Sequence, residues 1–222
     1  MRVIVTGASG MIGQGVLREC LLDADVTGVL TLGRTPTGQR HAKLTELAHR
    51  DFLDYSSIED RLTGYDACFF CLGVSSVGMN EADYTRITYD YTLAAARTLV
   101  RLNPDMTFIY VSGAGTDSTA SGRTMWARVK GRTENDLLAL TDRAFMFRPG
   151  LIQPRHGIRS RTRAYRIAYA VAAPLFPVLR RLFPGVATTT EVLGRAMINV
   201  ALRGAPARVL ESRDINAVGA ST

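Results

Sequence analysis

Val3-Ile4-Val5-Thr6-Gly7-Ala8-Ser9-Gly10-Met11-Ile12-Gly13 is the stretch that decides the fold. A β-branched apolar run stops at three glycines spaced Gly-x-x-Gly-x-x-Gly, and a helical pattern begins at once. This is how a strand, a phosphate-cradling turn and a helix are written in sequence. Each glycine has a distinct task in that reading. Gly7 permits a tight turn with φ > 0, Gly10 lets a pyrophosphate approach the backbone, and Gly13 lets the helix pack closely on the strand. Thr6, Ser9, Met11 and Ile12 belong to the same turn and are expected to line it. A dinucleotide phosphate would sit at the helix N-terminus, where unpaired N–H groups and the macrodipole favour negative charge.

Working outward, strands and helices alternate. Val16, Leu17, Cys20 and Leu21 recur at helical spacing and the helix ends near Asp23. Thr27 to Leu32 reads as a second strand, Leu44 to Ala48 as a third, and Ser57 to Leu62 as a short helix. Asp66 to Gly73 is a fourth strand, apolar on both faces as a central parallel strand must be. A long helix over Asn80 to Leu102 stops at Asn103-Pro104. Met106 to Val111, a helix from about Thr124 to Leu140, and Ala144 to Phe147 complete six strands. The alternation predicts an α/β fold with a doubly wound parallel sheet. Beyond Gly150 it gives way to a small helical C-terminal region. Thr188-Thr189-Thr190-Glu191 there reads as a capping box with Thr188 at the N-cap and Glu191 at N3, and Arg208-Val209-Leu210 as a last short strand.

The 222 residues are expected to form one domain, 1–222, with 151–206 as a small helical substrate or lid region. Apolar content of 46% and charged content of 21% are those of a soluble globular chain. No signal-like segment opens the sequence, and no apolar run reaches the roughly 18 residues of a membrane span. A cytoplasmic location is therefore expected. Cys68 and Cys71 have Cys-x-x-Cys spacing, but in a strand, side chains three apart point to opposite faces. With His41, His49 and His156 scattered, no metal site is expected.

Charge is uneven. Arg143 to Thr190 holds nine arginines (143, 148, 155, 159, 161, 163, 166, 180 and 181) and no acid, so it carries +9 of a whole-chain +7 and leaves −2 elsewhere. The Arg-flanked apolar part of it admits an anionic substrate gripped by guanidinium groups, peripheral contact of 159–184 with an anionic membrane, or a solvated lid or dimer element. Nucleic acid is disfavoured, because no binding module or interleaved aromatics accompany the charge. The chain is expected to be a monomer or homodimer.

The end of the second strand faces the adenosine ribose in a dinucleotide fold, and it carries Arg34 where an acid would select NAD. An arginine there pairs with a 2′-phosphate, so NADP is the expected cofactor and NAD the less favoured one. Asp51 and Phe52 follow the third strand at the adenine, and Cys71, Leu72 and Gly73 end the fourth.

These residues together resemble the short-chain dehydrogenase/reductase superfamily, specifically its atypical members related to nucleotide-sugar epimerases and to the Tat-interacting oxidoreductase-like proteins. The resemblance is carried by Thr6 to Gly13, Leu32-Gly33-Arg34, Asp51-Phe52, Val111-Ser112, Lys130-Gly131 and Arg148-Pro149-Gly150. It implies a Rossmann fold of strand order 3-2-1-4-5-6-7, NAD(P) bound across it, contacts from Pro149 and Gly150, and a substrate region after the sixth strand. It also implies a Ser at the end of the fifth strand with a Tyr-x-x-x-Lys on the next helix. The lysine holds the nicotinamide ribose and lowers the phenol pKa, while the serine polarises a substrate carbonyl. Ser112 and Lys130 fit, but Trp126 stands at the tyrosine position, and an indole N–H cannot serve as an acid or base near neutral pH. Three outcomes stay open: an NADP-dependent oxidoreductase on a small molecule with another proton source, a cofactor-binding sensor or interaction protein without turnover, or a site that has lost its chemistry with Trp126 as a packing residue. A nucleotide sugar is disfavoured, because the part beyond Gly150 is short for an elaborated substrate domain.

Overall fold

The computed structural model describes residues 1–158 and 185–220. Seven strands form one wholly parallel sheet: β1 (Arg2–Thr6), β2 (Gly28–Gly33), β3 (Leu44–Ala48), β4 (Ala67–Phe70), β5 (Thr107–Val111), β6 (Ala144–Arg148) and, at the far edge, β9 (Val209–Glu211). Their order is β3-β2-β1-β4-β5-β6-β9. The sequence expectation of a doubly wound Rossmann sheet is what is found, with the seventh position filled by the last strand of the chain. Two three-residue strands that the sequence pattern does not announce, β7 (Leu151–Gln153) and β8 (Ala187–Thr189), pair in parallel in a separate small sheet.

Alternation along the strands builds two cores. Val3, Val5, Val29, Phe69, Ile109 and Phe147 face α1 (Met11–Leu22), α5 (Thr190–Arg203) and α6 (Ser212–Ala220). Ile4, Leu30, Leu32, Phe70, Phe108 and Met146 face α3 (Tyr91–Leu102) and α4 (Met125–Leu140). Cys68 lies in the second core and Cys71 packs against the first, on opposite faces as their spacing predicts. Burial pushes the Cys71 thiol up to about 12.

The long helix expected over Asn80 to Leu102 is three segments in line: α2 (Glu81–Thr85), a π-helical stretch over Arg86–Asp90, and α3. Asn80 caps its start by accepting the Asp83 N–H at 2.8 Å. The C-terminal cap differs from expectation by one residue. Thr189, not Thr188, is the N-cap of α5 and accepts the Val192 N–H at 3.1 Å, because Thr188 is inside β8. Glu191 is therefore no capping-box partner and pairs with Arg195 at 2.6 Å and His156 at 3.4 Å. The expected Arg-flanked apolar stretch and its membrane contact, 159–184, lie outside the described residues. Among the described residues no helix is long and apolar enough to cross a membrane.

The strand order reverses direction at β1, whose neighbours are β2 and β4. A crevice therefore opens beyond the C-terminal ends of β1 and β4, the switch point at which open α/β sheets bind ligands. Two backbone approaches shape it. A Cβ on Gly13 would lie 2.1 Å from the Gly7 carbonyl oxygen, and one on Gly7 would lie 2.5 Å from the Cys71 carbonyl oxygen. Neither obstacle is a flexible side chain, so the backbone itself must move. Gly13→Ala is expected to destabilise the chain by at least about 1–3 kcal/mol, read as a lower urea midpoint at unchanged slope. An unchanged midpoint would show that α1 does not sit this tightly on β1.

Candidate functional site

At the end of β1 the chain turns with Gly7 at φ +65°, a conformation that favours glycine, and the Gly10 N–H donates to the Gly7 carbonyl at 2.8 Å. Gly10 then becomes the N-cap of α1, with no side-chain cap and no acid in the first turn. Its first-turn N–H groups thus keep their donors, beside Ser9, Met11 and Ile12. The Thr6 hydroxyl, fully buried beside this turn, has no hydrogen-bond partner among the described residues. Cys71, Leu72 and Gly73 leave β4 directly across Gly7, so β1 and β4 deliver their loops to one place.

On the other side of β1, Arg34 stands exposed just past β2. The ends of β2 and β3 are held together by the His49 N–H donating to the Gly33 carbonyl at 2.9 Å. Asp51 is less free than the sequence suggests, since its Oδ1 accepts the Leu53 N–H at 3.0 Å within its own turn. Phe52 is buried and stacked on Tyr91, ring centroids 5.7 Å apart.

Beyond β5 the geometry departs from expectation. Ser112 is buried, and its hydroxyl donates to Glu134 Oε1 at 2.5 Å and lies 3.2 Å from the Phe147 carbonyl. Its proton is thus directed to Glu134, whereas the resemblance implies a hydroxyl that polarises a substrate carbonyl. Glu134, on α4 and 1% exposed, is also held by Arg148 at the end of β6, whose Nε donates at 3.0 and 3.1 Å to its two oxygens. Arg148 reaches on to Ser118 Oγ at 2.6 Å and to Glu211 at 3.4 Å. This guanidinium is therefore not part of a free basic surface, although it counts among the nine arginines of the basic segment.

Lys130, one turn before Glu134 on α4, donates through Nζ to the Ser112 carbonyl. Trp126, one turn earlier, places its ring 6.0 Å from Nζ, so the spacing of four does bring the indole and the ammonium to one helix face. Desolvation pushes the Lys130 pKa down to about 8, with Glu134 opposing the shift. The position that looks at this ammonium is Gly113. At φ +125° its missing side chain would point to Lys130 Nζ at 3.8 Å and to the Pro149 carbonyl at 3.9 Å. The loop 113–122 is clamped onto α4, because a Cβ on Gly131 would fall 1.7 Å from the Asp117 carbonyl oxygen and the Asp117 N–H donates to the Ala127 carbonyl at 3.1 Å. Pro149 and Gly150 close the far edge: Pro149 accepts the Ala114 N–H at 2.9 Å, and the Gly150 N–H donates to Ser212 Oγ at 2.7 Å.

Sequence reasoning missed Glu134, Gly113 and the role of Arg148. A signal existed for Glu134, which lies four residues after Lys130 and so shares its helix face, but nothing local announces that Arg148 comes from the neighbouring strand to meet it.

The parallel sheet, the glycine turn at its switch point and the Lys130 face of α4 define a dinucleotide-binding Rossmann protein of the short-chain dehydrogenase/reductase type. Residues 3–124 match the NAD dependent epimerase/dehydratase family, and the chain belongs to that family, in its atypical branch. It is 29% identical over 210 residues to the protein fmp52, mitochondrial, of Emericella nidulans, covering 90% of this chain and 87% of that one. It is 28% identical over 158 residues to the protein HTATIP2 of Rattus norvegicus, covering 68% and 62%. Among solved structures, the Bordetella bronchiseptica enzyme WbmF in complex with NAD+ shares the fold at a TM-score of 0.65 and 14% identity, covering 97% of this chain and 76% of that one. The expectation of a cytoplasmic location is corrected by the fungal relatives, which are named mitochondrial proteins. Composition could not have separated these compartments, because a soluble Rossmann core has the same apolar and charged balance in either.

Ser112→Ala is expected to cost about 1 kcal/mol through the lost hydroxyl bond, while Glu134→Ala costs about 3–5 kcal/mol by stranding Arg148. Denaturant titration of both variants checks the ranking, and equal effects would remove Glu134 from the centre of the cluster.

Proposed function

We propose that this chain binds NADP(H) across the β1/β4 switch point and carries out oxidoreduction between a carbonyl and an alcohol on a small molecule. The observation that carries the reading is the turn from Gly7 to Gly13. It has positive φ at Gly7, a cradle that a Cβ would fill, and an uncapped α1 behind it. Those features fit a pyrophosphate, and the orphaned Thr6 hydroxyl offers a further hydrogen bond there. In this reading Thr6, Gly7, Ser9, Gly10, Met11, Ile12 and Gly13 hold the phosphates and Arg34 pairs with the 2′-phosphate. Asp51 and Phe52 border the adenine. Cys71, Leu72, Gly73, Pro149 and Gly150 line the path to the nicotinamide end, where Lys130 holds the ribose. The bound cofactor would supply or receive hydride, and the family description, NAD dependent, supports that chemistry.

A second reading, a cofactor-binding sensor without turnover, is favoured by one observation: Trp126 offers no acid or base, and the Ser112 hydroxyl is committed to Glu134. Both readings share the same cargo.

Trp126 is the only tryptophan of the chain and stands beside Lys130, so titration with NADPH is expected to quench its fluorescence with energy transfer to the reduced nicotinamide. No change at saturating NADPH would overturn the binding reading. Arg34→Asp is expected to weaken NADPH binding at least about tenfold, the loss of roughly one charge-assisted pair, and to leave NADH unaffected. An equal loss for both cofactors would remove Arg34 from the 2′-phosphate.

A further inference from the structure

The chain carries 27 lysines and arginines, and only Lys43 and Lys130 are lysine. Every other cation is a guanidinium, which stays charged at any pH the protein meets. Lys43 is spent elsewhere, donating to the Asp23 carbonyl at 2.6 Å. Lys130, partly buried on α4, is therefore the one lysine at the candidate site, and it stands where that site lacks a proton-transfer group.

Its surroundings leave that proton available. Its acceptor is a neutral carbonyl, that of Ser112. The one carboxylate facing it from its own helix, Glu134, has both oxygens taken by Arg148 and one also by the Ser112 hydroxyl, so it is an incomplete counter-ion. From β6 the charged group is Arg148, which is paired with Glu134. From β5 and its loop come only Ser112 and Gly113. Trp126 offers a ring face and no base. Arg128 and Arg132, also on α4, turn away to Glu81 and to the Tyr89 ring. Gly113 itself carries no side chain, and a Cβ there would lie 3.8 Å from Nζ.

We propose that Lys130 is itself the proton-transfer residue of this site, giving its proton directly to the oxygen of a substrate carbonyl lying over Gly113. This rests on the oxidoreductase reading above. The carbonyl carbon accepts a hydride from NADPH, which is oxidised to NADP+. The C=O π pair moves onto oxygen, an O–H bond forms as an Nζ–H bond breaks, and the alcohol leaves. The neutral amine then takes a proton from water. The depressed pKa of about 8 suits an acid working near neutral pH. Reduction needs the ammonium, so its rate is full below that value and falls as pH rises through it; alcohol oxidation has the opposite profile.

The test uses the full chain, NADPH and para-nitrobenzaldehyde. Lysines are methylated with isotopically labelled formaldehyde and followed by NMR against pH, with Lys130→Arg identifying its resonance and Lys43 serving as the internal reference. Lys130 is expected to titrate well below Lys43. Lys130→Arg is expected to lose at least about a hundredfold in aldehyde reduction at saturating NADPH, with its NADPH affinity read separately by Trp126 fluorescence. Titration of Lys130 together with Lys43, or an arginine variant that reduces the aldehyde as fast as the wild type, overturns the proton-transfer role and leaves the binding reading standing. A wild type that fails to bind NADPH instead overturns the functional reading beneath it.

Discussion

The ligand-facing edge of this protein depends on one close approach of backbones. The Gly7 peptide is squeezed between the first turns of α1 on one side and the Cys71 carbonyl on the other, with room for no Cβ at 7 or 13. This contact joins β1, α1 and β4 without intervening side chains, and so leaves the N-terminal donors of α1 facing the crevice. α1 is fixed in turn from behind. A Cβ on Gly15 would meet Thr190 Cβ at 2.5 Å, and one on Gly194 would meet Glu19 Cγ at 2.8 Å, so α5 seats on α1 as closely as α1 seats on the sheet. Glu19, buried in that contact, is matched by Arg18 and Arg195.

A second constraint governs the other half of the site. Glu134 from α4, Arg148 from β6 and Ser112 from β5 meet in one cluster, almost all of it out of water. Burying two charges is costly and is offset only when their hydrogen-bonding capacity is taken up; here Glu134 receives Ser112 as well as Arg148. The cluster determines which way the end of β5 faces. With the Ser112 side chain turned inward, its carbonyl is left for Lys130 and the following Gly113 is left facing the ammonium. The Ser112 side chain thereby joins the Glu134 cluster while its carbonyl receives Lys130.

Much of this was legible in the sequence. Period-two and period-3.6 patterns located the strands β1 to β6 and the helices between them to within about three residues, because those elements bury a face; the largest miss is the end of β4, expected at Gly73 and found at Phe70. The glycine turn was legible because its physical requirement, absence of a Cβ, is local. β7 and β8 were not, since three residues carry no period. The π-helical stretch was not either, since a local widening leaves the apolar stripe of the long helix intact. The capping register at Thr188-Thr189-Thr190 could not be read from three identical residues; it is decided by β8 holding Thr188 in a strand and by the Arg155 N–H donating to Thr190 Oγ1 at 3.1 Å.

By itself, then, the sequence determined the parallel α/β architecture, the glycine turn, the Arg34 position and the shared helix face of Trp126 and Lys130. All of these follow from spacing along one chain segment. Only the tertiary structure decided where the Ser112 proton points, that Arg148 is neutralised rather than exposed, and that Gly113 is the position facing Lys130. Those depend on side chains from β5, α4 and β6 meeting across the sheet edge, and no periodicity within a single element records which partner another element brings.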